Sequence, residues 1–480
     1  MKAICFYFQI HQPFRLKKYR FQDIGNDSYY YDDFNNDEII TNIAQKSYLP
    51  ANAMLKELIE SSNKRFKVAF SITGSALEQL EQYVPEFIDS MKELVATGCV
   101  EFLAETYAHS LSSLIDPDEF IVQVKEHSKK IKQLFGIEPK VLRNTELIYS
   151  DDIAAIVASM GYKGMITEGA KHILGWKSPN YLYSSAAAPN LKLLLSNSKL
   201  SNDISLRFNN HEWHEYPLTA DKYMNWIANL PQEEQLVNLF MNYETFGELQ
   251  PAGTGIFDFM RALPYFAQEN GISFVTPSEA IAKHKAVGEL AVPYPMSWAD
   301  EARDVSSWLG NKLQNEAFNK LYSIAERVRL CSNRRLKQDW NYLQASDHFF
   351  YMRTKQSFDD ARSYYTPYET PYDAFTNYMN ALADFIVRVE AQYPLSIDNE
   401  ELNALLTTIR NQAKEIELLN KEIAILRNNI NTDEEKKVAP KAKAAPKANT
   451  AKTPAAPRKK AAPKKATSTT AKTTTTDKAE

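Results

Sequence analysis

Carboxylates, imidazoles and amides recur in this 480-residue chain directly after short apolar runs. His11-Gln12-Pro13 follows one run, Gly74 and Glu78 a second, and Glu105, Thr106, Tyr107 and His109 a third. Asn144-Thr145-Glu146, Glu168 and the stretch Asn242-Tyr243-Glu244-Thr245-Phe246-Gly247-Glu248 follow three more. Gathered at one rim, such groups suit a sugar-binding cleft, because hydroxyls need many hydrogen-bond partners and sugar rings stack on aromatic faces. Taken singly, His11 reads as a structural histidine and Glu146 as a solvated loop carboxylate; only their gathering would give them a joint role. His211-Glu212-Trp213-His214 is H-E-x-H and lacks the i, i+4 spacing that places two imidazoles on one helix face, so no metal site is expected, and no cofactor.

The apolar runs are the elements that must position these groups. They are Ile4–Gln9, Phe66–Ile72, Cys99–Ala104, Lys140–Arg143, Gly164–Thr167, Leu191–Leu195, Leu236–Met241 and Ile272–Val275, with helix-period segments such as Ala51–Ser61, Ala76–Thr97 and Pro117–Phe135 between several of them. Strands alternating with helices imply βαβ units and a parallel sheet, and seven or eight units suggest a closed barrel, whose chemistry collects at the strands' C-terminal ends. The fold class expected is therefore α/β. No G-x-G-x-x-G or G-x-x-x-x-G-K follows any run, and glycine is scarce, 14 in 480 where about 7% is usual, which argues against a nucleotide loop.

After Pro293 the pattern becomes helical over 301–390, with apolar residues three or four apart in Leu313–Leu330 and Tyr372–Val389. Leu402, Leu405, Ile409, Gln412, Ile416, Leu419, Ile423, Leu426 and Ile430 then fall on alternate steps of three and four, which reads either as a self-associating coiled coil or as an amphipathic helix lying on the chain's own helical part. Residues 432–480 are rich in Lys, Ala, Pro and Thr and are expected to be disordered. The domains expected are thus 1–293, 294–395, 396–431 and 432–480.

Fifty-six basic residues oppose 60 acidic ones, a net charge of −4, but residues 436–480 alone carry a surplus of 11, which leaves −15 on residues 1–435. The globular part should therefore not grip nucleic acid; a polyanion could meet only the tail, which could equally be a solubilising spacer. Three cysteines make no disulfide framework. No apolar run approaches the roughly 20 residues of a membrane helix, and Met1 leads straight into a strand-like segment without a secretory signal, so a cytoplasmic protein is expected.

Five segments carry a resemblance. HQPFRL at 11–16, GSALEQL at 74–80, LRNTELIY at 142–149, NYETFGE at 242–248 and SDHFFYM at 346–352 resemble, in order, the five sequence regions of glycoside hydrolase family 57, closest to its α-amylase and α-amylase-like branch; SWADEARDVSSWLGN at 297–311 resembles that branch too. The resemblance implies retaining chemistry on α-glucans and an incomplete (β/α)7 barrel followed by a helical domain. One of the eight runs should then lie outside the barrel, and Leu191–Leu195 is the one expected to do so. It further implies that Glu146 is the nucleophile, that His11 helps form a sugar subsite, and that Asp347 lies where the helical domain closes over the cleft. Glu78, His109, Glu244 and His348 are further candidates for substrate binding. The family's general acid/base is an aspartate at the position where this chain has Asn242. Weak or absent hydrolysis is expected. The alternatives are an active α-amylase or 4-α-glucanotransferase with another proton donor, such as Glu244, Glu248 or Glu105, and a non-catalytic α-glucan-binding scaffold.

Overall fold

β1 (Ala3–Ile10) is buried along its whole length, and its alternate residues serve different cores. Ala3, Cys5 and Tyr7 join a small cluster with Ala69, Leu103, Val141, Ile166, Leu194 and Leu236, while Ile4, Phe6, Phe8 and Ile10 join a larger one built with helical residues such as Leu55, Leu80 and Met260. A side-chain period of two with both faces covered turns a parallel strand into an uninterrupted apolar run. The computed structural model describes residues 2–355, 366–392, 405–420 and 423.

Nine further strands follow among the described residues: β2 (Val68–Ile72), β3 (Val100–Phe102), β4 (Val141–Arg143), β5 (Gly164–Glu168), β6 (Leu182–Ser185), β7 (Lys192–Ser196), β8 (Leu236–Asn242), β9 (Ser273–Phe274) and β10 (Glu289–Leu290). Seven parallel strands succeed one another around a ring, β1-β2-β3-β4-β5-β7-β8 and back to β1. Its two thinnest seams are single contacts. Ala104 bridges Leu142, its N–H donating to the Val141 carbonyl at 2.9 Å, and Ser196 pairs with Asn238.

The expectation for Leu191–Leu195 needs correcting. Its residues form most of β7, a ring strand paired with β5 from Gly164↔Lys192 to Glu168↔Ser196. The run outside the ring is Ile272–Val275, which contributes only the two-residue β9 against the start of β1. A short apolar run says that a segment is buried, not which neighbour it pairs with, and that long-range pairing assigned the place. β6, antiparallel to β7, and β10 extend the sheet beyond the ring.

Inside the ring the inward residues change character with height. Ala3, Cys5, Ala69, Val141, Ile166 and Leu236 fill the lower part. Higher on the same strands, the alternation continues into Gln9, Ser71, Arg143, Glu168, Ser196 and Asn242.

The helices Lys312–Tyr322, Arg334–Leu343, Ser346–Tyr351 and Pro371–Gln392 pack around Trp308, Phe318, Trp340, Phe349 and Phe385, in one apolar core with Leu142, Tyr149, Met165 and Leu193 of the strand region. The described residues up to 392 belong to one compact unit, and those from 405 on to a second. In the second, residues 405–420 are helical and Leu405, Ile409, Ile416, Leu419 and Ile423 are exposed. Leu402, Leu426, Ile430 and the tail 432–480 lie outside the described residues. No helix among the described residues is long and apolar enough to cross a membrane.

Candidate active site

β4 ends at Arg143, and the chain turns sharply through Thr145–Leu147. Glu146 and Leu147 have φ of 55° and 53°, a left-handed backbone that costs an ordinary residue about 1–2 kcal/mol. Local bonds impose it: Asn144 Nδ2 donates to Ser113 Oγ and to the Ile148 carbonyl, each at 2.9 Å, and the Thr145 and Thr106 hydroxyls meet at 2.6 Å. The turn buries the Glu146 carboxylate and presents it to three donors from separate parts of the chain. They are His109 Nε2 at 2.9 Å, the Trp298 indole N–H at 2.7 Å and Ser346 Oγ at 3.3 Å. An ionised carboxylate only accepts hydrogen bonds, so three donors fix its orientation.

His109, itself at φ 55°, is held on its other side by Glu105, 3.5 Å from Nδ1. Burial opposes its charge, but bonds to Glu105 and Glu146 outweigh burial and raise its pKa above 6.5. Burial likewise opposes the Glu105 charge; the His109 bond and the charges of His127 and Arg143 win, and its pKa is lowered. The His11 ring stacks on His109 with centroids 4.0 Å apart. Burial and then the His109 charge lower the His11 pKa, which favours a neutral His11 ring. His11 therefore donates from Nε2 to Asp347 Oδ2 at 2.7 Å and accepts at Nδ1 from Thr73 Oγ1 at 2.9 Å.

Asn242 ends β8 beside Gln9 of β1. It is half-buried and lines a cavity of about 130 Å³ with Glu168, Ser196, Phe240, Trp298 and Arg303. Trp298 is the residue whose indole reaches Glu146, so the Glu146 turn and the cavity at Asn242 share a wall. Beneath them lies Arg143, fully buried, bonded to Gln9 Oε1 at 2.6 Å, 4.0 Å from Glu105 and 4.9 Å from the centre of the Phe240 ring.

Glu146, His109, His11 and Asp347 thus form one continuous set of contacts, and the Trp298 wall adds Asn242. The other sequence candidates point elsewhere. Glu244 is buried under the Tyr48 hydroxyl at 2.5 Å and Gln12 Nε2 at 3.2 Å, and burial raises its pKa. Glu78 accepts the hydroxyls of Tyr107 and Tyr342 on the wall of a separate groove of about 850 Å³. His348 Nε2 sits 3.1 Å from the Tyr342 carbonyl, with its ring against Tyr378. Glu248 lies 3.6 Å from Lys46. No cluster of three or more His, Cys, Asp or Glu placed to hold a metal occurs among the described residues.

Residues 5–293 match the family model for glycosyl hydrolase family 57. The chain belongs to that family. A Methanocaldococcus jannaschii protein named "Putative alpha-amylase" is 43% identical over 397 residues, covering 80% of this chain and 84% of that one. Among solved structures, the family 57-type branching enzyme of Pyrococcus horikoshii superposes with a TM-score of 0.60 at 14% identity, covering 85% of this chain and 94% of its own. The 4-alpha-glucanotransferase of Thermococcus litoralis superposes with a TM-score of 0.58 at 14% identity, covering 79% of this chain but 59% of its own. At those identities the two structures establish the fold, the family's barrel with its helical domain.

In this family 57 chain, sequence reading singled out neither Trp298 nor Ser346 as site residues, although both lie in quoted segments, because an indole or a hydroxyl carries no charge pattern. Thr73 and Arg143 escaped for a different reason: each reads as the end of a strand, and only the ring turns them inward.

The buried histidines set a pH dependence. His11, His127 and His348 all have pKa values lowered from 6.5 by burial, that of His348 to about 4. A group that binds its proton more weakly when folded leaves stability intact above its ordinary pKa and removes it as pH falls toward the folded value. Between pH 6.5 and about 4, His348 alone should therefore withdraw about 3 kcal/mol. Thermal unfolding followed across that range should show the midpoint falling, with a shallower fall in His348→Gln. Equal slopes for parent and variant would remove His348 from the account.

Proposed function

We propose that the cleft around Glu146 binds α-glucans and that it hydrolyses them weakly or not at all. The observation that carries this reading is a buried carboxylate held by three donors while the cavity beyond Trp298 offers a carboxamide at 242. A retaining glycosidase needs two carboxyl groups roughly 5 Å apart, one to attack the anomeric carbon and one to protonate the leaving oxygen and later to deprotonate water. A carboxamide donates a hydrogen bond but keeps its proton. Binding suffers less than turnover, because Asn has nearly the shape of Asp. The relatives' printed names, an alpha-amylase, a branching enzyme and a 4-alpha-glucanotransferase, support the substrate class.

Calorimetric titration with maltoheptaose tests the binding half. Saturable heat is expected from the parent and from Glu146→Gln, and no heat from either would refute the reading. Chromatography of products tests the other half, and rapid release of short maltooligosaccharides by the parent would refute weak hydrolysis.

We also propose that the stripe from 402 to 430 joins copies of the chain. The exposed Leu405, Ile409, Ile416 and Leu419 support it, since apolar residues on a helix at steps of three and four are the seam of a coiled coil. Light scattering should give more chains per particle for the full chain than for a version ending at Pro394. The same number in both would count against the seam.

A further inference from the structure

We propose that Glu168 is the general acid and base of this cleft, the group through which whatever hydrolysis the chain retains must pass. The proposal rests on the reading of the cleft as an α-glucan site.

Four observations place it there. Glu168 is the last residue of β5, it is 2% exposed, and two residues before it Ile166 belongs to the ring's interior cluster, so the period of two turns Glu168 inward as well. It lines the same cavity as Asn242. It is beside the nucleophile: Arg143 pairs with Ile166, which sets position 145 level with Glu168, and Glu146 follows at once. Thr167 Oγ1 donates to the Leu147 carbonyl at 3.2 Å, pinning the Glu146 turn to the end of β5. Finally, Oε1 of Glu168 is buried without a hydrogen-bond partner; the Arg303 guanidinium stands 3.8 Å away and spends a hydrogen bond on the Trp298 carbonyl.

The rival carboxylates are occupied. Glu244 holds Tyr48 and Gln12, and Glu248 lies by Lys46; Glu105 accepts from Ser71 through Oε1, and its Oε2, though also without a hydrogen bond, is paired with the His109 and Arg143 cations and lines no part of the cavity at Asn242. Burial pushes the Glu168 carboxyl up to about 7, with Arg303 and Ser198 opposing it. Near neutrality it therefore spends comparable time with and without its proton, as an acid/base requires. The charged and titratable groups around it are Arg303, Asp300 and Glu301 on the cavity wall, the buried Tyr7 phenol of β1 and, on the neighbouring turn, Glu146.

The chemistry balances. A Glu146 oxygen bonds to the anomeric carbon as the glycosidic C–O bond breaks, and the leaving oxygen takes the Glu168 proton. Water then adds to the same carbon, gives a proton to the Glu168 carboxylate and releases Glu146.

The test compares the parent, Glu168→Gln, Asn242→Asp and the double variant on maltoheptaose and on α-maltosyl fluoride, whose fluoride leaves without a proton donor. The parent is expected to hydrolyse maltoheptaose slowly, with a rate that falls as pH rises through about 7. Glu168→Gln should lose about 10²–10⁴ of that rate yet still release one equivalent of fluoride per chain, and the double variant should recover hydrolysis, which shows the cleft intact. Glu168→Gln hydrolysing maltoheptaose like the parent overturns the proposal. A parent that releases fluoride but never hydrolyses maltoheptaose overturns it too, and leaves the α-glucan cleft standing. A parent that neither binds maltoheptaose nor releases fluoride defeats the α-glucan reading and this inference with it.

Discussion

In the Glu168→Gln background, Asn242→Asp should raise the hydrolysis of maltooligosaccharides by about 10²–10⁴, the usual worth of a positioned acid/base. The change replaces one amide nitrogen by oxygen at the end of β8, in a cavity already bounded by Trp298, Phe240 and Glu168. No backbone has to move, so the unfolding midpoint should stay within a degree or two of the parent's. Glu146→Gln in the same background should remove the gain, because the second carboxyl acts only on a bond that the first attacks. Product analysis of the three proteins at one pH decides the matter. An Asn242→Asp protein as slow as its parent would mean that side chain 242 does not reach the leaving oxygen, and the proposed reading of the cleft would fall.

The largest loss of stability should come from Gly247→Ala. Gly247 has φ 104°, a conformation closed to side chains, and an added Cβ would stand 2.0 Å from the Lys46 carbonyl oxygen. Both sides of that contact are backbone. The segment around residue 46 is tied to the strand end by Ser47 Oγ, which donates to the Tyr243 carbonyl at 3.1 Å, and by the Tyr243 hydroxyl on Asn52 Oδ1 at 2.8 Å. Left-handed strain and overpacking together should cost about 2–5 kcal/mol. Denaturant unfolding of parent and variant measures it; a loss below 1 kcal/mol would show that the turn yields. Surviving Gly247→Ala protein should also bind maltoheptaose less well, because residues 242–244 are carried by the same turn.

What the sequence made legible was local. Each ring strand is a buried apolar run, and each run ends in the polar residue that faces the rim, so His11, Glu146 and Asn242 could be named from position alone. Their partners could not. Glu146 is bonded to residues 37, 152 and 200 positions away, and no periodicity links such distances. The same blindness misplaced Leu191–Leu195, whose partners β5 and β8 lie on either side of it in the ring and far apart in the chain. Glu78 and His348 sit in segments that do approach the cleft, yet two tyrosine hydroxyls and a backbone carbonyl occupy them. Segment resemblance locates a stretch of chain and leaves the aim of each side chain to packing.

The division of the ring's interior into an oily lower storey and a polar upper one has a consequence for how such a chain can change over time. The lower storey of Ala3, Cys5, Val141, Ile166 and Leu236 anchors the strands, so the upper residues can be exchanged without dismantling the frame. On the reading proposed for the cleft, a single amide in place of an acid at the top of β8 would silence or redirect the chemistry while leaving this frame in place. On the same reading, passage from catalyst to receptor would take one substitution at the rim, and so would the way back.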